Sequence, residues 1–182
     1  MSTSASPPSS SSSSSSTSTS AASTTSPVVG TKDLLVYGAG VLGGKVAELW
    51  THQPGFEGSK VFTLTKSDQR HDALRTKGFY PMTTEQIFSN AANMGKFPFV
   101  IFCAPPSGSV DYVQEVRNAL KLWKNSDAKA SAFVFTSSTG SFKPSEDGDR
   151  EVRSINETSP IRNEDDPRGG KFIQAENIVR NA

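Results

Sequence analysis

From Asp33 onward the apolar residues of this chain alternate between two periods. Short apolar runs of strand length occur at Leu34-Leu-Val36, Lys60–Thr65, briefly near Phe79, at Phe97–Ala104 and at Ala130–Thr136. Between them the apolar residues recur at helical spacing. Val41, Leu42, Val46, Ala47, Leu49 and Trp50 predict a first helix, and Asp68–Lys77 predicts a polar second one closed by Gly78. Thr83 or Thr84 can cap a third, running through Ile87, Phe88 and Met94. Ser109–Lys124 predicts a fourth, with Val110, Val113, Val116, Leu120 and Trp123 on one face. Pro105-Pro106 stops the fourth apolar run, Gly140–Gly170 reads as polar loop, and Lys171–Arg180 as a last helix. Strands alternating with helices predict an α/β fold with a doubly wound parallel sheet, because right-handed crossovers put helices on both faces.

One junction between the two periods carries chemistry. The first strand runs directly into Gly38-Ala-Gly-Val-Leu-Gly43 and then into the first helix. In such a turn Gly38 lets the chain bend off the strand, Gly40 lets backbone approach a pyrophosphate, and Gly43 lets the helix pack against the sheet. Unpaired N–H groups from Val41 and Leu42 onward, with the positive end of the helix dipole, suit an anion at the same spot. Strand, turn and helix together read as a Rossmann-like dinucleotide site, against the plainer reading of a tight turn that needs glycine only for its shape.

The end of the second strand bears on which dinucleotide. An acidic side chain there binds the ribose hydroxyls of NAD, whereas a 2′-phosphate calls for cations and hydroxyls. The sequence reads Thr65-Lys66-Ser67-Asp68-Gln69-Arg70, so Lys66, Ser67 and Arg70 favour NADP. Asp68 keeps NAD open, and solvated charges at a helix start are the bland alternative. Ala104 and Pro105, where the fourth run stops, are expected to pass beneath the cofactor without obstructing it.

Composition changes the picture mainly at the N-terminus. Residues 1–30 are mostly serine, threonine, alanine and proline with no charged side chain before Lys32, too polar to bury a core. This Ser-rich leader reads as a disordered tail or an organelle transit peptide, leaving residues 31–182 as the folded domain. Lysines and arginines number 19 against 18 acids, and no basic stripe with interleaved aromatics occurs, so nucleic acid is not an expected partner. No apolar run approaches the ~20 residues that span a bilayer. Cys103 lies within an apolar run, excludes an internal disulfide by being alone, and reads as a small core residue, since His52 and His71 fall at predicted helix ends. The acids of Glu146-Asp-Gly-Asp149 lack a calcium-loop spacing, so no metal is expected there. The sequon Asn156-Glu-Thr158 reads as a chance match.

The glycine turn, the fifth strand entering Phe135-Thr-Ser-Ser-Thr139, and Glu157-Thr-Ser-Pro160 followed by a helix with Ala175-Glu176 resemble the extended and atypical short-chain dehydrogenase/reductases of the NAD-dependent epimerase/dehydratase type. More narrowly, Phe97–Ser107 and Asp111–Ala119 resemble a plant and algal group of chloroplast NAD(P)-binding proteins. The resemblance implies an NAD(P)-dependent oxidoreductase or epimerase acting on a small or nucleotide-linked substrate, and a plastid location for a chain with such a leader. It assigns Ser138 to the catalytic serine position. The family's Tyr-x-x-x-Lys pair falls on Arg168 and Phe172, and an arginine does not release its proton near neutral pH. Ser137, Ser138 and Thr139 read equally as a strand-end turn. A non-catalytic module that senses redox state or scaffolds partners therefore stands beside the enzyme. No sixth strand follows Arg180, so the chain reads as the front of a longer protein whose substrate region lies beyond it.

Overall fold

The computed structural model describes residues 1, 27–125, 130–144, 155–156 and 158–182. Most of the leader and the Glu146–Asp149 acids lie outside the described residues. Val29 and Gly30 already belong to the folded part: the Val29 amide donates to the Met94 carbonyl at 3.0 Å, and the Asp33 carboxylate accepts from the Gly30 and Lys60 amides at 2.7 and 2.8 Å.

Five strands, β1 (Leu34–Tyr37), β2 (Val61–Thr65), β3 (Tyr80–Thr83), β4 (Phe99–Phe102) and β5 (Ala132–Phe135), form one sheet in the order β3-β2-β1-β4-β5. Every pairing is parallel. The crossovers are α1 (Val41–Thr51), α2 (His71–Thr76), α3 (Thr84–Met94) and α4 (Tyr112–Leu122), and α5 (Gly170–Arg180) follows a single 3₁₀ turn at Thr139–Ser141. Residues alternate across the strands, so the core is two clusters, one on each face. Leu34, Val36 and Val61 meet Ala47 of α1 and Leu74 of α2. Leu35, Tyr37, Phe62 and Phe102 meet α3, α4 and α5 through Ile87, Val116 and Phe172. The expected doubly wound parallel sheet is present.

Several boundaries differ from the sequence expectation. The α2 helix starts at His71 rather than Asp68, because Asp68 spends its carbonyl on the His71 amide in a preceding turn. The α4 helix starts at Tyr112, where the Asp111 carboxylate accepts from the Gln114 amide at 2.8 Å. Val110 therefore lies outside the helix and fully exposed, not on its apolar face. Trp123 has also left the helix for extended backbone, bridging Phe97. In α1, Val41, Leu42 and Leu49 are exposed, and Gly43, Ala47, Val46 and Trp50 make the packed face instead. The Gly140–Gly170 stretch has more structure than a plain loop: Phe142 pairs antiparallel with Ile161, and Arg162 binds the Gly140 carbonyl and Asp166.

Candidate functional site

The strand order reverses between β1 and β4, since β2 and β3 lie to one side of β1 and β4 and β5 to the other. At such a switch point the loops leaving adjacent strands diverge and open a crevice at the carboxyl edge of the sheet. A cleft of about 280 Å³ lies there, lined by Gly38, Gly40, Lys66, Ser67, Arg70, Ala104 and Pro105. The fold thus brings together seven predicted site residues from three separate stretches of chain.

The three glycines are held to different requirements. Gly38 takes φ +98°, and a Cβ on it would stand 2.6 Å from the Ala104 nitrogen, so both backbone and packing demand glycine. A Cβ on Gly43 would stand 2.2 Å from the Gly38 carbonyl oxygen and 2.8 Å from Val36 Cγ1, which is the close approach of helix to strand. Gly40 is otherwise: its backbone is extended, and among the described residues a Cβ would meet nothing within 4 Å. Among the described residues no side chain caps α1; its first residues Val41 and Leu42 are exposed, and neither they nor Gly43 line this cleft, Val41 lining a neighbouring hollow with Gly40 and Arg70 instead. By contrast α3 carries a capping box between Thr83 and Gln86, and α4 carries Asp111.

Around the lip the charges are unequally engaged. Lys66 Nζ donates to the Gly108 carbonyl at 2.6 Å and lies 3.3 Å from Glu115 Oε1. Arg70, exposed on the same loop, makes no ion pair and no side-chain hydrogen bond among the described residues. Asp68 is exposed and outside the cleft lining. The Thr65 hydroxyl donates to the Ser67 carbonyl at 2.8 Å and lies 2.7 Å from His71 Nε2, which fixes the turn carrying Lys66 and Ser67.

Tyr37 and Thr84 also line this cleft and were not expected there from the sequence, which marked Thr84 only as a candidate helix cap. Tyr37 is legible afterwards as the strand residue directly before the first glycine, whereas Thr84 arrives only because β3 lies beside β2. Burial, then the charge of Glu115, pushes the Tyr37 hydroxyl up to about 12, partly offset by a hydrogen bond with Thr84. Burial and Glu115 also push Tyr112 up to about 12, and its ring packs against Phe102 and Phe172. Neither phenol gives up its proton readily near neutral pH. Burial likewise raises the Cys103 thiol, against a nucleophilic role.

Ser138 lies elsewhere. It lines a separate hollow of about 540 Å³ with Ser137, Thr139, Glu176 and Arg180, sharing no lining residue with the glycine-turn cleft. Its hydroxyl accepts from the Gly140 amide at 3.1 Å and so caps the 3₁₀ turn. Glu176 accepts from Ser137 and Ser141 and pairs with Arg180 at 3.3 Å. Arg168 precedes α5, and Phe172 faces the core, its ring 5.7 Å from that of Tyr112. Among the described residues no group of three or more histidines, cysteines or acids is placed to hold a metal ion, and no helix is long and apolar enough to cross a membrane. No family model, curated protein or solved structure matches this chain.

Proposed function

We propose that this chain binds a nicotinamide dinucleotide in the cleft at the ends of β1, β2 and β4, with NADP favoured over NAD. The observation that carries the reading is Gly40, where neither backbone nor packing within the protein calls for glycine. Space kept free beside an uncapped helix start is what a pyrophosphate needs: close backbone approach, unpaired N–H donors and the positive end of the dipole. The residues fit that group. Gly40, Val41, Leu42 and Gly43 would hold the pyrophosphate, while Ala104 and Pro105 would floor the cleft without bulk. Lys66, Ser67 and the unengaged Arg70 offer cations and a hydroxyl to a 2′-phosphate, and Asp68, outside the lining, is poorly placed to favour NAD. A bound nicotinamide supplies hydride transfer, and the chain's part is to hold and orient it.

The finer reading is a protein of the atypical short-chain dehydrogenase/reductase type, acting as oxidoreductase or epimerase on a small or nucleotide-linked substrate. A second reading, a dinucleotide-binding module without turnover, is favoured by a specific set of observations. The positions of the missing proton donor hold Arg168 outside the helix and Phe172 in the core, and the Ser138 hydroxyl caps a turn.

Calorimetric titration of the full chain with NADPH and NADH tests the binding reading. Tighter binding of NADPH is expected, and Gly40→Val should lose at least about tenfold in affinity for both while its circular dichroism stays that of the parent, because the added side chain fills only the ligand's space. Unchanged binding by a folded Gly40→Val protein would overturn the assignment of the cleft.

A further inference from the structure

The side chain of Lys66 does not simply wait at the cleft. It reaches from the end of β2 to the segment after β4 and to α4, hydrogen-bonding the Gly108 carbonyl and pairing with the Glu115 carboxylate at 3.3 Å. β1 lies between β2 and β4, so this contact passes over the turn at Gly38 that leaves β1. Glu115 is held in turn: Oε1 accepts from the Ser109 hydroxyl at 2.9 Å, and Oε2 is buried with no hydrogen-bond partner among the described residues. A carboxylate in that condition depends on the nearby cation, because a buried acceptor without a donor is costly.

We propose that Glu115 is a specificity-determining residue that withholds Lys66 from the cleft, and that a 2′-phosphate is the ligand group that draws Lys66 away from it. The proposal rests on the reading of the cleft as a dinucleotide site. A dianionic phosphate competes with a single carboxylate for the ammonium, whereas the 2′-hydroxyl of NAD cannot. NAD therefore enters with the Lys66 bridge intact, and NADP enters by exchanging one anionic partner of Lys66 for another. Glu115 in this way reduces the NADP preference that Lys66, Ser67 and Arg70 would otherwise give.

A double-mutant cycle on the full chain tests this by titrating NADPH and NADH into wild type, Glu115→Gln, Lys66→Met and the double variant. The amide keeps an acceptor for Ser109 but removes the charge. Glu115→Gln should bind NADPH about fivefold more tightly, the upper end for a partly exposed ion pair, with NADH changed by less than about twofold. That gain should vanish in the Lys66→Met background. A gain that persists without Lys66, or an equal gain for both dinucleotides, would show a general charge effect and overturn the proposal. If wild type binds neither dinucleotide, the reading of the cleft itself fails; if it binds NADPH and Glu115→Gln changes nothing, only the role of Glu115 fails. Should the Glu115 variant not fold, acetylation of the wild-type protein read by mass spectrometry gives a second measurement. Lys66 should react more slowly than exposed Lys96, and equal rates would overturn the bridge.

Discussion

At the scale of single residues, Gly40 and Gly43 stand three positions apart under opposite constraints. A methyl group on Gly43 would collide with the Gly38 carbonyl, which is backbone and can move only with β1 or α1. Gly43→Ala should therefore destabilise the protein by about 1–3 kcal/mol, the usual cost of overpacking, whereas Gly40→Ala should leave stability within about 0.5 kcal/mol of the parent. Urea unfolding of the two variants side by side checks this, and equal effects would contradict the geometry. The turn at Gly38 and the close packing at Gly43 were legible in the sequence because each follows from its offset along a strand-turn-helix junction. Glu115 was not: its approach to Lys66 links residues 49 apart in sequence (115 minus 66) and exists only because β2 and β4 flank β1.

Among the elements, the five strands and five α-helices were legible, whereas the 3₁₀ turn at Thr139–Ser141 and the Phe142–Ile161 bridge were not; of the misplaced ends, that of α4 is set by a side chain that captures a backbone N–H. The helical spacing of Val110, Val113 and Val116 reaches one residue before Asp111, whose carboxylate captures the Gln114 amide, and the capture decides where α4 starts. Asp111→Ala should cost about 1 kcal/mol of stability, and Asp111→Asn about half of that or less, since the amide oxygen still accepts. Chemical denaturation measures both; an alanine variant as stable as the parent would mean that α4 starts for another reason. Within α1 the misreading was of facing rather than extent. Val41 and Leu42 match helical spacing, but the first turn stands at the open carboxyl edge of the sheet, where there is no strand for them to cover.

For the whole molecule, sheet order gathers the glycine turn, the Lys66–Arg70 loop and Ala104-Pro105 into one cleft and leaves Ser138 in another. On the reading of a binding site without a proton donor, the chain should bind dinucleotide yet show no steady-state reduction or epimerisation. General acid catalysis contributes roughly 10²–10⁴-fold in rate, and its loss would leave only traces. A substrate screen following NADPH absorbance checks this: robust turnover that disappears in Ser138→Ala would reveal a donor working through that hydroxyl.

The position of β1 has a further consequence. It is the middle strand, paired on both sides and packed on both faces, while β3 and β5 are the outer strands of the described sheet. Val134 of β5 is half exposed, and β3 carries Pro81, which cannot donate to a ladder. Amide exchange in deuterated water should thus be graded across the sheet, fastest in β5 and β3 and slowest at Leu35 and Val36. The strand that delivers the glycine turn would then be the last to open, so heating would fray both flanks of the sheet while the turn kept its shape.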